Sequence, residues 1–406
     1  MKFLRTLAVF AVLAVMFTLG YGYRDISKNR PVKFTRSEQE VSATQLFSSQ
    51  FKHIETSFYK PVDPLKIKYA AMSGMMASLG DPHTTFMEPV IAKEFNSETQ
   101  ANFVGIGARL DDDPLGAKIV VVFEGSPAER AGVRAGDVVT AVDGKSVAGI
   151  PVETIVTKIR GEEGTKVKLT VLRNGSASPL ILTATRATII TPTVEGSMIE
   201  DTKVGRIAIS TFADPTTEQF DKELAKLESK GMKGLVIDLR GNGGGLLRTA
   251  IDLLSRFVED KIALKMKARG GREEVAKTNV GYLHKFNYPI VVLVNEDSAS
   301  ASEIFAGCLR DYQIATLVGV HTYGKASVQD VRGLIDGSNA KYTIAKYYLP
   351  VTPDISRKVD ADGQYLEGGL IPDVKVELDL ENEVKFGDIK SDNQLAKAVE
   401  VVKSKM

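Results

Sequence analysis

The chain is poor in the residues that cross-link or metallate small folds. Its 406 residues include one cysteine, Cys308, four histidines and no tryptophan. A single thiol excludes an intramolecular disulfide and any cysteine-built zinc cluster, so stability must come from packing. His53, His83, His284 and His321 are scattered and form no HExxH or other close-spaced ligand pattern, so no metal site is expected. Bulk charge is missing too. With 52 basic residues against 51 acidic ones the net charge is +1, which offers no electrostatic drive toward nucleic acid. No low-complexity tract occurs, and a chain of this length calls for two or three packed units rather than one core.

What is present begins with an export signature. Met1–Arg5 is short and basic, and residues 6–23 carry no charge before Arg24. A helix over that run would reach about 27 Å, near the thickness of a bilayer core. The run ends in Leu19-Gly20-Tyr21-Gly22-Tyr23, without an A-x-A-like cleavage site and with two tyrosines suited to a membrane interface. Residues 1–23 are therefore expected to be a signal and membrane anchor, with Lys2 and Arg5 cytoplasmic and the rest extracytoplasmic, at a cell surface or in a periplasm. A cleaved signal would give a secreted form instead. Residues 24–36 read as a linker.

Ser37-Glu38-Gln39-Glu40 has the form of a capping box, and Ala43, Phe47, Phe51 and Ile54 follow at helical spacing. A second helix is expected from Asp63-Pro64 through Ala77, which makes residues 37–100 a helical N-terminal region. Residues 101–187 change texture to short β-rich runs between glycine turns, with helices expected after Ser126-Pro127 and Ile150-Pro151, the size of an independent module. Residues 188–380 alternate strand and helix, as in an α/β layered core. Gly234–Leu239, Tyr288–Val294 and Thr316–Val320 read as strands, and Leu247–Val258 and Glu303–Leu309 as helices. Residues 381–406 read as a C-terminal helical tail.

Three features of the core could carry chemistry. Asn295–Glu303 is a run of small residues between a buried strand and a helix, where a side chain can be exposed beside the free N–H groups of the new helix. Ser300 is its candidate nucleophile, and the plainer reading is that Ser300 and Glu303 merely cap the helix. No histidine motif supplies a base. Lys325 could, provided that burial lowers its pKa from about 10.4, and Gln329 would share its side of an extended chain and could orient the amine. Gly243-Gly244-Gly245 follows a strand as anion-binding loops do, but it lacks the Gly-Lys-Ser/Thr ending of a nucleotide loop.

In combination these segments resemble the C-terminal processing peptidases, tail-specific serine proteases with a Ser/Lys dyad. The resemblance rests on Asp238–Gly245, Leu293–Glu303, Tyr323-Gly324-Lys325 and Gln329, in that order and spacing, with Gly80–Thr85 upstream and Gly369–Asp373 downstream. It implies a crotonase-like or ClpP-like α/β core, Ser300 as nucleophile, Lys325 as general base, Gln329 as its orienting residue, and an oxyanion hole from the N–H groups of Gly245 and Ala301. It implies no cofactor. Ser298 and Ser302 become bystanders, and Asp311 matches an acidic position implicated in some members. The middle module resembles a PDZ domain, with Phe103, Val104, Gly105 and Ile106 as its carboxylate-binding loop and Arg160 as a candidate link to the protease. Asp297, Ala326 and the Leu349–Ser356 segment depart from the family pattern. The partners implied are protein or peptide substrates with accessible C-terminal tails, the membrane, and a second copy or a regulatory protein. Two rivals remain at this point: a catalytically silent PDZ adaptor and an acyl-CoA enzyme with a glycine-rich oxyanion loop.

Overall fold

A computed structural model describes residues 38–379 and 384–406 of the chain. The expected anchor, the linker and the Ser37 cap lie outside those residues. Among the described residues no helix is long and apolar enough to cross a membrane.

The chain divides into two units at Met75/Met76. The first carries a helix over Glu38–Ser57 and most of a second over Pro64–Ala77. Asp63 Oδ1 takes the Leu65 N–H at 2.9 Å, and Pro64 occupies the first turn, where its missing N–H is no loss.

The second unit opens with β1 (Thr85–Met87) and a helix over Pro89–Thr99 that the sequence reading passed over, although Pro89 marks its first turn. Next comes the β-rich module: β2 (Asn102–Gly105), β3 (Ala108–Asp113), β4 (Gly116–Val122), β5 (Val138–Val142), β6 (Lys145–Ser146), β7 (Lys166–Leu172), β8 (Leu180–Thr185) and β9 (Ala187–Ile190). Its main sheet runs β3-β4-β5-β7-β8, which leaves β3 as an edge strand. Short helices follow Ser126-Pro127 and Pro151, as expected; the Ser126 side chain takes the Glu129 N–H. Ile106, Ile119, Val139, Ile155, Val167 and Leu169 fill a core of the module's own. β2 and β3 are separated at Gly107, whose φ of +77° suits glycine and ends the extended path.

The remaining strands are β10 (Val194–Met198), β11 (Val204–Ile209), β12 (Gly234–Asp238), β13 (Ile262–Ala268), β14 (Glu273–Lys277), β15 (Ile290–Val294), β16 (Ala315–Gly319), β17 (Ser327–Gly333), β18 (Asn339–Tyr348), β19 (Lys358–Val359), β20 (Tyr365–Glu367) and β21 (Val374–Lys375). A six-stranded sheet runs β10-β11-β12-β15-β16-β21, parallel from β11 onward. All five residues of β12 and of β15 are buried, as parallel strands covered on both faces require. One face packs on helices Thr216–Ser229, Leu247–Leu254 and Ala301–Asp311. The other receives Leu395, Ala398, Val399 and Val402 of the helix Asn393–Ser404. The segment expected as a tail is thus a layer of the core, because its apolar stripe covers Val236, Val291, Leu293 and Val318. A second, antiparallel sheet joins β1, β18, β13 and β14, with β17 folded on β18. Its strands were not read from the sequence.

Candidate active site

The Ser300 turn ends β15 and starts the Ala301–Asp311 helix. Ser300 adopts φ 56° and ψ −113°, a conformation rare for a residue with a side chain, and such outliers concentrate where surrounding structure enforces a functional geometry. Its neighbours are committed elsewhere. Ser298 Oγ donates to the Leu239 carbonyl at 2.8 Å and Ser302 Oγ to the Asn242 carbonyl at 2.9 Å, both fully buried. Ser300 is partly exposed, and its hydroxyl proton goes to no acceptor among the described residues.

The glycine loop lies against this turn. A Cβ on Gly244 would sit 2.7 Å from the Ala299 carbonyl oxygen and 2.9 Å from Ser300 Cβ, so only glycine permits the approach. Gly245, at φ +138°, packs as closely on the Phe212 backbone. Asn242 fastens the loop: its Oδ1 takes the Gly244 N–H at 2.9 Å, its amide donates to the Ile209 carbonyl at 2.7 Å, and its own carbonyl takes the Ala299 N–H at 3.0 Å. The N–H groups of Gly245 and Ala301 have no acceptor among the described residues. Ala301 is the first residue of a helix, whose opening N–H groups are unsatisfied by the helix itself.

Glu303 joins the Ser300 turn to the lysine segment. Its Oε2 takes the N–H of Ser300 and the N–H of Lys325, each at 2.8 Å. Its Oε1 takes the Gly324 N–H at 2.7 Å and the Thr322 hydroxyl at 2.6 Å. One oxygen atom therefore holds the backbones of Ser300 and Lys325 side by side. Glu303 is more than the cap read from sequence, and Asn242 and Thr322 were not singled out; each is a buried polar residue within a polar, partly exposed loop, where composition gives no signal. Burial pushes the Glu303 carboxyl upward, while donors from Thr322, Gly324, Ser300 and Lys325 pull it back.

Lys325 is half-buried. Burial first, and then the Lys341 ammonium, lowers its amine below the ordinary lysine range, against the opposing pull of Asp81 and Glu303. Gln329 lies on β17, where its amide donates to Ser327 Oγ at 2.8 Å and Thr343 Oγ1 at 3.3 Å; the extra residue of the bulge in the β17–β18 pair is Ile344 of β18, between Thr343 and Ala345. Asp311 holds the turn after β18 instead of facing the lysine: its carboxylate takes the N–H groups of Val351 and Thr352 at 2.8 and 2.9 Å and the Thr352 hydroxyl. His321 stacks on Tyr365, with ring centroids 4.0 Å apart. The histidine that feels Lys325 is His83, lowered by burial and then by that lysine's charge.

In the β-rich module, Phe103, Val104 and Gly105 lie on β2, paired with β9, and the Ile106 carbonyl takes the Ala128 N–H at 2.7 Å. A cavity of about 60 Å³ is lined by Phe103, Gly105, Ile106, Val156, Ile159 and Arg160, beside the open edge of β3. The Arg160 guanidinium lies 5.1 Å over the Phe103 ring. Among the described residues no cluster of His, Cys, Asp and Glu could hold a metal ion.

A layered α/β core with a strained serine at a helix N-terminus, a glycine loop against it and an inserted β-rich module defines a serine-type peptidase with a PDZ domain. The model of peptidase family S41 matches residues 203–376, and that of the PDZ domain matches residues 118–173. The carboxy-terminal processing protease CtpA of Bacillus subtilis (strain 168) is 37% identical over 330 residues, 81% of this chain and 68% of that protein. A probable CtpA-like serine protease of Staphylococcus haemolyticus (strain JCSC1435) is 35% identical over 328 residues, 80% of this chain and 63% of that protein. Among solved structures, the photosystem II D1 C-terminal processing protease matches with 28% identity over 85% of this chain and 89% of that one, at a TM-score of 0.47. The chain belongs to peptidase family S41, with the carboxy-terminal processing proteases, and spans about two thirds of the length of these two bacterial relatives.

Proposed function

We propose that this chain is an endopeptidase that cleaves extracytoplasmic proteins near their C-terminal tails with a Ser300/Lys325 dyad. Neutral Lys325 takes the Ser300 proton as Ser300 Oγ bonds to the peptide carbonyl carbon. The N–H groups of Gly245 and Ala301 receive the oxyanion. Collapse breaks the C–N bond, the lysine ammonium gives its proton to the departing amine, and water then hydrolyses the ester with Lys325 again as base. The observation that carries this reading is the Glu303 oxygen shared by the Ser300 and Lys325 N–H groups, next to a serine whose hydroxyl proton is uncommitted.

The PDZ module supports the preference for tails. A peptide added to the β3 edge would bring its terminal carboxylate to the end of β2 at Gly105-Ile106 and its last side chain to the adjoining cavity. The basic start and uncharged run of residues 1–23 support an anchored, extracytoplasmic placement. Incubating the purified chain with an unfolded protein, and reading products by intact mass, tests the proposal. Cleavage by the parent chain and none by Ser300→Ala is expected; equal cleavage by both removes Ser300 from the mechanism.

A further inference from the structure

The Gly80–Thr85 segment has no part in the dyad as described, yet the fold brings it to the lysine. β1 pairs antiparallel with β18, Thr85 opposite Lys341, and the turn before β1 therefore lies beside the strands that follow Lys325. Asp81 organises that turn. Its Oδ1 takes the His83 N–H at 3.1 Å and its Oδ2 the Thr84 hydroxyl at 2.6 Å. Thr84 Oγ1, itself buried, takes the Thr343 N–H at 3.2 Å. Thr343 stands opposite Gln329 across the β17–β18 pair, and its hydroxyl receives the Gln329 amide at 3.3 Å. A continuous polar path thus runs from Asp81 through Thr84 and Thr343 to Gln329 and on to Ser327 Oγ at 2.8 Å. It ends two residues from Lys325.

Charge points the same way. The groups acting on Lys325 are Lys341 from β18, Asp81 from the turn before β1 and Glu303 from the Ala301–Asp311 helix, and His83 in turn feels the lysine. Glu303 is filled on both oxygens by three backbone N–H groups and a hydroxyl. Asp81 is the other acid, and its hydrogen bonds from Thr343, Thr84 and the His83 backbone keep it anionic despite partial burial.

We infer that Asp81 is a positioning residue of the hydrolytic centre, which aligns Gln329 through Thr84 and Thr343 and supplies the counter-charge for the Lys325 ammonium that forms when Ser300 gives up its proton. Asp81 takes no proton; the transfer runs from Ser300 Oγ to Lys325 Nζ, and the carboxylate stabilises the charge it leaves. The inference rests on the Ser300/Lys325 reading.

The test is the pH dependence of kcat and KM for the full chain on one unfolded substrate, with Asp81→Asn, Asp81→Glu, Thr343→Val, Lys341→Met and Lys325→Ala beside the parent. Asp81→Asn should lower kcat about tenfold to a hundredfold with KM little changed, the scale of a misaligned base. It should also move the acid limb to lower pH, because loss of a negative neighbour makes the ammonium release its proton sooner. Lys341→Met should move the limb the opposite way, and Asp81→Glu should return it toward the parent. Thr343→Val keeps the charge and cuts the path, so kcat should fall with the limb in place; this variant decides the positioning role even where Asp81→Asn fails to fold. Parent-like kcat in Thr343→Val, or a parent-like limb in folded Asp81→Asn while Lys325→Ala is dead, overturns the role of Asp81 alone. An active Lys325→Ala enzyme overturns the dyad, and the inference with it.

Discussion

Three serines within five residues meet two different fates, and their hydrogen bonds separate them. The hydroxyls of Ser298 and Ser302 satisfy carbonyls of the glycine-loop strand and loop, so their loss is a matter of stability. Ser302→Ala should lower stability by about 1 kcal/mol, up to roughly 3, the scale of a buried carbonyl left unpaired, and still turn over substrate. Ser300→Ala should be inactive with an unchanged melting midpoint. At Lys325, the lowered pKa sets the sign of the pH response. Only the neutral amine accepts a proton, so below that pKa kcat/KM should rise about tenfold per pH unit and then level off. Lys325→Arg should be inactive throughout, since guanidinium stays protonated. A rate profile flat across that range, or an active arginine variant, would remove Lys325 as base. The histidine control is best made at His83, because His321 is stacked against Tyr365.

Elements were legible where one physical signal was strong and local. β12, β15 and β16 stand out as apolar runs bounded by glycine or polar turns, and the Pro64 and Pro127 helices announce their own starts. The antiparallel sheet was illegible because β13, β14, β17 and β18 alternate charged and apolar residues weakly and draw their order from distant partners: β1 meets β18 across some 250 residues of chain. For the same reason the partners of Gln329 were not legible: its place opposite Thr343 follows from the β17–β18 register and its bulge, which have no local mark. The glycine loop was visible as a run, but why each glycine is needed was not. Gly244→Ala should push the loop off the Ser300 turn, at a backbone angle of +106° that alanine resists. The expected result is a loss of kcat of about 10² to 10³, comparable to losing an oxyanion donor, measured beside a thermal midpoint that falls only modestly. In the β-rich module, amidating the C-terminus of a bound peptide should weaken binding by at least about 1.5 kcal/mol, roughly tenfold, and equal calorimetric affinities for acid and amide would exclude the Phe103–Ile106 segment as a carboxylate site.

At the scale of the whole molecule, the glycine loop is tied to the last helix. Asp238, the last residue of β12, accepts Arg206 at 2.7 Å and Arg240 at 2.8 Å, and Arg240 reaches Asp392 at 2.6 Å and Gln394 Oε1 at 3.0 Å, at the start of the last helix. Burial alone would raise the Asp238 carboxyl, but Arg240 and then Arg206 hold it below its ordinary range. The side chains of Arg240 and Asp392 are 3% and 0% exposed, so each charge depends on the other for compensation. Asp392 also takes the Leu395 N–H at 3.0 Å and so caps the helix that covers the sheet. Asp392→Ala removes the cap and leaves Arg240 under-compensated in a dry setting, a change worth about 3–5 kcal/mol. Because Arg240 immediately precedes the glycine loop, the loss should be felt at Gly244 and Gly245 and not only in the last helix. The expected outcome is a lower denaturation midpoint with faster amide exchange at the glycine loop and in the last helix together, while exchange in the β-rich module, which has its own core, is unchanged. Faster exchange confined to the last helix would show that this ion network supports the helix alone and leaves the glycine loop to Asn242.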